Sequence, residues 1–155
     1  MNTPLNADAG SGSLPWFENV RRVLSSGSLV EFSPKGYSMW PALRPERDTV
    51  TIGRAAAYAP GDIVLALCDS PYGVILHRIA RIEGGRIILM GDSNLFQTET
   101  CSHDTIAGKV LAIRRDGRDI SRSALTRLSG AIQRLPAGLR RLAVRILNKS
   151  RHGSR

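Results

Sequence analysis

The chain has 155 residues, a length that predicts one globular domain with short appendages. Its composition, 42% apolar and 23% charged, is that of a folded soluble protein and excludes a largely disordered or membrane-embedded chain. The formal net charge of +9 belongs to the C-terminal tail, because residues 121–155 hold nine basic residues and no acidic one.

The N-terminal region divides into two parts. Residues 1–14 are small and polar, and we predict a flexible leader there. This segment lacks the basic and apolar regions of a secretory signal, so we expect a cytoplasmic protein. Residues 15–27 carry Phe17, Val20 and Leu24 at helical spacing, which predicts a short helix.

The central region, residues 28–120, has the pattern of a β domain. Short runs of strand-forming residues alternate with Gly, Pro and Asp, and Gly84-Gly85 is a typical hairpin turn. The predicted strands are 28–33, 48–53, 62–68, 73–82, 86–90 and 105–114. Because no helical pattern separates them, we predict a mostly β fold, either a coiled antiparallel sheet or a barrel-like one.

The C-terminal region, residues 121–155, has a helical period and is predicted to be a basic amphipathic tail that Pro136 breaks in two. Its apolar stripe comprises Leu125, Leu128, Ile132, Leu135, Leu139, Leu142, Ile146 and Leu147. Three roles stay open for the tail. It could pack on the body with its arginines outward, lie peripherally on an anionic inner-membrane surface, or bind nucleic acid. The absence of Phe, Tyr and Trp from the tail argues against nucleic acid.

The segment Gly36-Tyr37-Ser38-Met39-Trp40-Pro41 places a serine on a glycine-containing turn. A serine hydroxyl becomes a nucleophile when a base accepts its proton and donors bind the oxyanion it creates. Small neighbours allow a substrate backbone to approach. Ser38 is therefore a candidate nucleophile. The alternative is a turn serine that caps its own backbone.

His77 is the candidate base. Strand alternation places Ile75, His77 and Ile79 on one face of the predicted strand 73–82. The lysines lie at positions 35, 109 and 149, so this strand cannot supply a lysine base. The alternative is a histidine that is simply buried in the core.

A third residue could orient the imidazole of His77, as the acid of a catalytic triad does. Asp92, in Gly91-Asp92-Ser93-Asn94, is the first candidate, and Glu99 is the second. An ordinary Asx turn is the alternative for Asp92. The sequence leaves the choice between the two acids open.

Five short motifs occur in order over roughly residues 28–115. They are Gly-Tyr-Ser-Met-Trp-Pro, Pro-Gly-Asp-Ile-Val, Leu-His-Arg-Ile, Met-Gly-Asp-Ser-Asn and Ile-Ala-Gly-Lys-Val. In order and spacing they resemble the signal peptidase I and repressor-autopeptidase superfamily of serine proteases. The chain looks like the branch that uses histidine as its base, and most like small stand-alone bacterial members without a membrane anchor.

This resemblance implies a signal-peptidase fold and cleavage beside small residues of an extended substrate. It implies Ser38 as nucleophile and His77 as base. The chain departs from the family at Gly36, where members usually carry a serine whose hydroxyl helps to bind the oxyanion. Backbone N–H groups such as that of Ser38 would then remain for this task, and we expect a slow or selective enzyme.

The sequence therefore predicts a serine endopeptidase acting on a peptide or protein, such as a leader or propeptide. Gly36, Tyr37, Met39 and Pro41 would form its oxyanion and substrate loop. No metal or organic cofactor is implied, and Cys68 and Cys101 are predicted to be reduced thiols. Two alternatives remain: a self-cleaving autopeptidase like the repressors, and a β-barrel binding module whose chemistry has lapsed.

Overall fold

The computed structural model describes residues 2–4, 13–69, 73–121 and 124–152. Within these ranges, nine strands form one sheet: β1 (Asn2–Pro4), β2 (Leu29–Phe32), β3 (Asp48–Gly53), β4 (Ile63–Leu67), β5 (Val74–Glu83), β6 (Arg86–Met90), β7 (Glu99–Cys101), β8 (Ile106–Arg115) and β9 (Arg118–Asp119). Three α-helices accompany it: α1 (Leu14–Ser25), α2 (Ala124–Gln133) and α3 (Ala137–His152).

The strands run in the order β1-β2-β3-β8-β4-β5-β6-β7, and β9 pairs with the outer end of β8. Every pair is antiparallel except β1 with β2, which is parallel. The order has two ends, so over the described residues the sheet is open and does not close into a barrel. The mostly β, antiparallel prediction is confirmed.

The six predicted strands correspond to β2, β3, β4, β5, β6 and β8, each within one residue at either end. Three short strands were not predicted. One of them, β1, lies in the segment predicted as a flexible leader, where Asn2–Pro4 pairs with Leu29–Glu31 of β2. The remainder of that leader, apart from Ser13 and Leu14, falls outside the described residues. Two- and three-residue strands are too short for an alternating pattern to reveal.

Helix α1 covers one side of the sheet. Ser13 caps it by accepting a hydrogen bond from the backbone N–H of Trp16. Trp16, Phe17, Val20 and Leu24 are all buried, so the predicted apolar face of this helix is the one that packs inward. Its buried side chains join those of β2, β3 and β8 in the larger of two hydrophobic clusters.

Helices α2 and α3 pack against the body, and Pro136 separates them as predicted. Of the predicted apolar stripe, Ile132 on α2 is buried, but most of the stripe residues on α3 do not face inward. Val144 is buried on α3, whereas Leu139, Leu142 and Ile146 are exposed. The helices thus pack on the body with arginines exposed, and they also leave apolar side chains exposed. The choice among the three roles of the tail stays a prediction.

Candidate active site

His77 and Glu99 form a buried pair, in which Nδ1 of the imidazole lies 2.9 Å from Oε2 of the carboxylate. Sheet register explains the contact. Ile79 of β5 pairs with Leu89 of β6, and Leu89 pairs with Glu99 of β7. Paired residues share a face of the sheet, and His77 shares the face of Ile79 two residues away. The side chains of His77 and Glu99 therefore lie on the same side of β6.

Asp92 has a different partner. Its carboxylate accepts two hydrogen bonds from Arg78, at 2.8 Å from Nε and 2.7 Å from Nη2, and both side chains are buried. Arg78 follows His77 directly, so the two side chains point to opposite faces of β5. Of the two acids considered for orienting His77, the structure gives that contact to Glu99 and not to Asp92.

The loop after β6 is hydrogen-bonded to the segment that carries Ser38. The carbonyl oxygen of Ser38 accepts hydrogen bonds from Ser93, at 2.9 Å from the backbone nitrogen and 3.1 Å from Oγ. Oγ of Ser93 also donates to the carbonyl of Tyr37 at 2.8 Å. These bonds tie the two loops together beside β5.

Gly91 lies between the Ser38 segment and the imidazole of His77. A Cβ atom at this position would lie 2.6 Å from the carbonyl oxygen of Ser38, 3.1 Å from Nε2 of His77 and 3.0 Å from Nδ2 of Asn94. The carbonyl oxygen of Ser38 and Nε2 of His77 thus both lie close to the α-carbon of Gly91, where only hydrogen fits. In the sequence Gly91 looked like part of an ordinary turn, and no pattern distinguished its packing role.

Ser38 and His77 line one open cleft of about 440 Å3, together with Glu99. The hydroxyl of Ser38 makes no hydrogen bond to any residue in the described part of the chain. A nucleophile–base hydrogen bond is often absent or long without substrate and tightens when substrate binds. The structure therefore brings the two residues into one cleft, with Nε2 of His77 on the side of the serine segment.

The other predicted loop residues are divided between the cleft and the core. Gly36 and Tyr37 are exposed and line the cleft. Met39 borders the cleft but is itself buried in the larger hydrophobic cluster. Pro41 is buried, and it is not among the described residues that line the cleft. Gly36 has a φ of 82°, so a serine at this position would be strained.

The first half of β5 has a free edge along the cleft. Residues 74–78 pair with β4 on one side, whereas pairing with β6 begins only at Arg78. The backbone N–H of Ile79 donates to the carbonyl of Asp62, and the carbonyl of Gly73 accepts from the backbone N–H of Cys68. Odd-numbered residues of this stretch therefore direct their backbone groups toward β4. The alternation leaves the backbone N–H and C=O of Leu76 directed at the cleft.

A smaller, mostly apolar depression of about 120 Å3 adjoins the cleft. The two share five lining residues: Pro34, Lys35, Val74, Ile75 and Leu76. Trp16, Phe32 and Leu65 complete its apolar lining. Its size suits a small apolar side chain.

Cys68 and Cys101 are buried free thiols on β4 and β7 or at their ends. A hydrogen bond with Cys101 is the larger cause, and burial the next, that raise the pKa of Cys68 far above that of a free thiol.

Among the described residues, no cluster of three or more His, Cys, Asp or Glu side chains could hold a metal ion. No helix in the described ranges is long and apolar enough to cross a membrane.

Comparison with known proteins finds no family model that matches the chain and no curated protein that matches it. The likeness to signal peptidases thus rests on the five sequence motifs.

Proposed function

We propose that this protein is a serine endopeptidase in which Ser38 attacks the scissile carbonyl and His77 is the general base. One observation carries the proposal. The buried imidazole of His77 is held by Glu99 at 2.9 Å and lies beside the Ser38 segment in an open cleft. Nucleophile, base and orienting acid are the three parts that serine proteolysis requires.

The reaction follows from this arrangement. With Nδ1–H donated to Glu99, Nε2 is the nitrogen that can accept the Ser38 proton. The carboxylate stabilises the imidazolium, which then delivers its proton to the leaving amine. Water repeats the sequence to release the acyl group from Ser38. The backbone N–H of Ser38 is the candidate donor to the oxyanion, since Gly36 offers no hydroxyl.

The substrate we propose is an extended, unfolded peptide segment, such as a leader or propeptide. An extended peptide can pair with the free edge of β5 at Leu76, because its backbone groups face the cleft. The adjoining 120 Å3 depression, lined in part by Trp16 and Phe32, favours small apolar side chains near the cleaved bond.

The test is hydrolysis of a library of unstructured peptides, followed by mass spectrometry. Wild type and Ser38→Ala are compared with Ser25→Ala, which changes an exposed serine at the end of α1. We expect discrete cleavage by wild type and Ser25→Ala, and a loss of at least about 10³-fold in Ser38→Ala. Equal cleavage by Ser38→Ala would exclude the proposal.

The same samples without peptide test the self-cleaving alternative. Fragments of the chain that appear in wild type but not in Ser38→Ala would identify the chain as its own substrate. Peptide binding by wild type without any cleavage would instead identify a binding module.

A further inference from the structure

Helix α3 is packed with its apolar face turned away from the protein. Leu139, Leu142 and Ile146 are 57%, 57% and 62% exposed. At 3.6 residues per turn these three residues share one face, which we call the outer stripe. Val144 is 1% exposed and lies on the opposite side of the helix. Amphipathic helices of globular proteins normally bury their leucines, so this orientation requires an explanation.

Specific contacts fix this orientation. On the inner side of α3, Asn148 donates to the carbonyl of Ser93 at 3.2 Å. The guanidinium of Arg141 lies 4.5 Å from the ring centroid of Phe96. On α2, Nε2 of Gln133 donates to the carbonyl oxygens of Gly91 and Asp92, each at 3.4 Å. The inner side of the helix pair is therefore bound to the 91–96 loop, and the outer stripe faces away from the protein.

The segment that carries the outer stripe has charge of a single sign. Residues 121–155 contain nine basic residues and no acidic one. On α3, Arg145 and Lys149 are exposed, and at 100° per residue they lie along one edge of the outer stripe. The surface thus combines exposed leucine and isoleucine with a field that attracts anions.

We propose that α3 docks on the surface of an anionic lipid bilayer, with the outer stripe at the boundary of the acyl chains and the basic residues among the headgroups. A basic helix with a separate apolar face is the structure that binds in this way. A second copy of the chain fits poorly, because two acid-free surfaces would repel each other. Nucleic acid would leave the outer stripe facing phosphate and water.

Docking through α3 would also fix the cleft relative to the membrane. The loop that holds α2 and α3 is the loop whose Ser93 binds the carbonyl of Ser38. The lipid-binding proposal does not depend on the peptidase proposal, because binding can be measured without any substrate.

Co-sedimentation of the full chain with vesicles tests the proposal. Vesicles of phosphatidylcholine are compared with an equal mixture of phosphatidylcholine and phosphatidylglycerol, at low and high salt. We expect binding to the mixed vesicles that weakens with salt, and little binding to phosphatidylcholine alone. Failure to bind the mixed vesicles would overturn the proposal.

Two variants with matched controls locate the docking face. Leu142→Ser with Ile146→Ser should weaken binding at least about tenfold, whereas Ile82→Ser with Leu111→Ser, at two exposed apolar residues of the sheet, should not. Arg145→Gln with Lys149→Gln should weaken it more than Arg86→Gln with Arg118→Gln, which removes the same charge from the sheet. Because all these side chains are exposed, circular dichroism should show native folding in each variant. Equal binding by test and control variants would overturn the proposal. It would also be overturned if Leu142→Ser with Ile146→Ser abolished self-association of the chain and left vesicle binding unchanged.

Discussion

The imidazole of His77 and the carboxylate of Glu99 meet at 2.9 Å across β6, and both are buried. The strand between them contributes no polar side chain to the contact, since Leu89 occupies the paired position. The imidazole therefore has a fixed acidic partner on the side away from the serine segment. This arrangement is the one that the proposed mechanism requires of a general base and its orienting acid.

We predict that Glu99→Gln abolishes most hydrolysis and keeps the fold. The amide can retain a hydrogen bond but cannot stabilise an imidazolium, so kcat should fall about 10³- to 10⁴-fold with KM little changed. Steady-state kinetics on a cleaved peptide measure both constants. Glu83→Gln, at an exposed glutamate, is the control and should behave as wild type. Wild-type kcat in Glu99→Gln would remove Glu99 from the mechanism.

The buried pair of Arg78 and Asp92 is predicted to act on stability. Asp92→Asn leaves the guanidinium of Arg78 buried without a counter-ion, which should lower the free energy of unfolding by about 3–5 kcal/mol. Urea denaturation measures this change. The exposed pair of Arg47 and Asp116 provides the comparison, and Asp116→Asn should change stability little. Similar denaturation midpoints for both variants would contradict the role of Arg78 and Asp92.

Gly91 is predicted to control the distance between the serine segment and the imidazole. In Gly91→Ala the methyl group would lie 2.6 Å from the carbonyl oxygen of Ser38, so backbone must shift. We expect a loss of about 1–3 kcal/mol in stability and about 10²-fold in hydrolysis, because the reacting groups are displaced. Gly138→Ala is the control, since no atom lies within 4 Å of its new methyl group. A Gly91→Ala variant as active as Gly138→Ala would refute this role.

The buried thiols predict a specific loss of stability at alkaline pH. The hydrogen bond between the two thiols lowers the pKa of Cys101 and, together with burial, raises the pKa of Cys68. The folded pair therefore keeps one proton after the unfolded chain has lost both. The stabilisation is complete below the ordinary thiol pKa of about 8.5 and declines as the pH rises above it. Urea unfolding at a series of pH values should show this decline in wild type and a shallower one in Cys68→Ala. Equal slopes would contradict it.

Much of the fold could be predicted from local patterns. Alternating apolar residues with Gly, Pro and Asp between them defined the six longer strands, and Pro136 marked the break in the tail. The choice between Asp92 and Glu99 could not be made in this way. It depends on the register of β7 against β6, and β7 is only three residues long.

The orientation of the tail could not be predicted from the sequence either. Helical periodicity reveals an apolar stripe, but it does not show which side of the helix meets the body. Here the bonds of Gln133 and Asn148 to the 91–96 loop decide it. Such polar contacts between distant segments leave no local pattern in the sequence.

The most direct test of the account is whether Ser38 and His77 act as one unit. Peptide hydrolysis is measured for Ser38→Ala, His77→Ala and the double variant. We predict that each single change lowers kcat by about 10⁴- to 10⁶-fold and that the double variant is no slower than the slower single one. Single effects that multiply in the double variant, or a Ser38→Ala protein with wild-type kcat, would contradict the account.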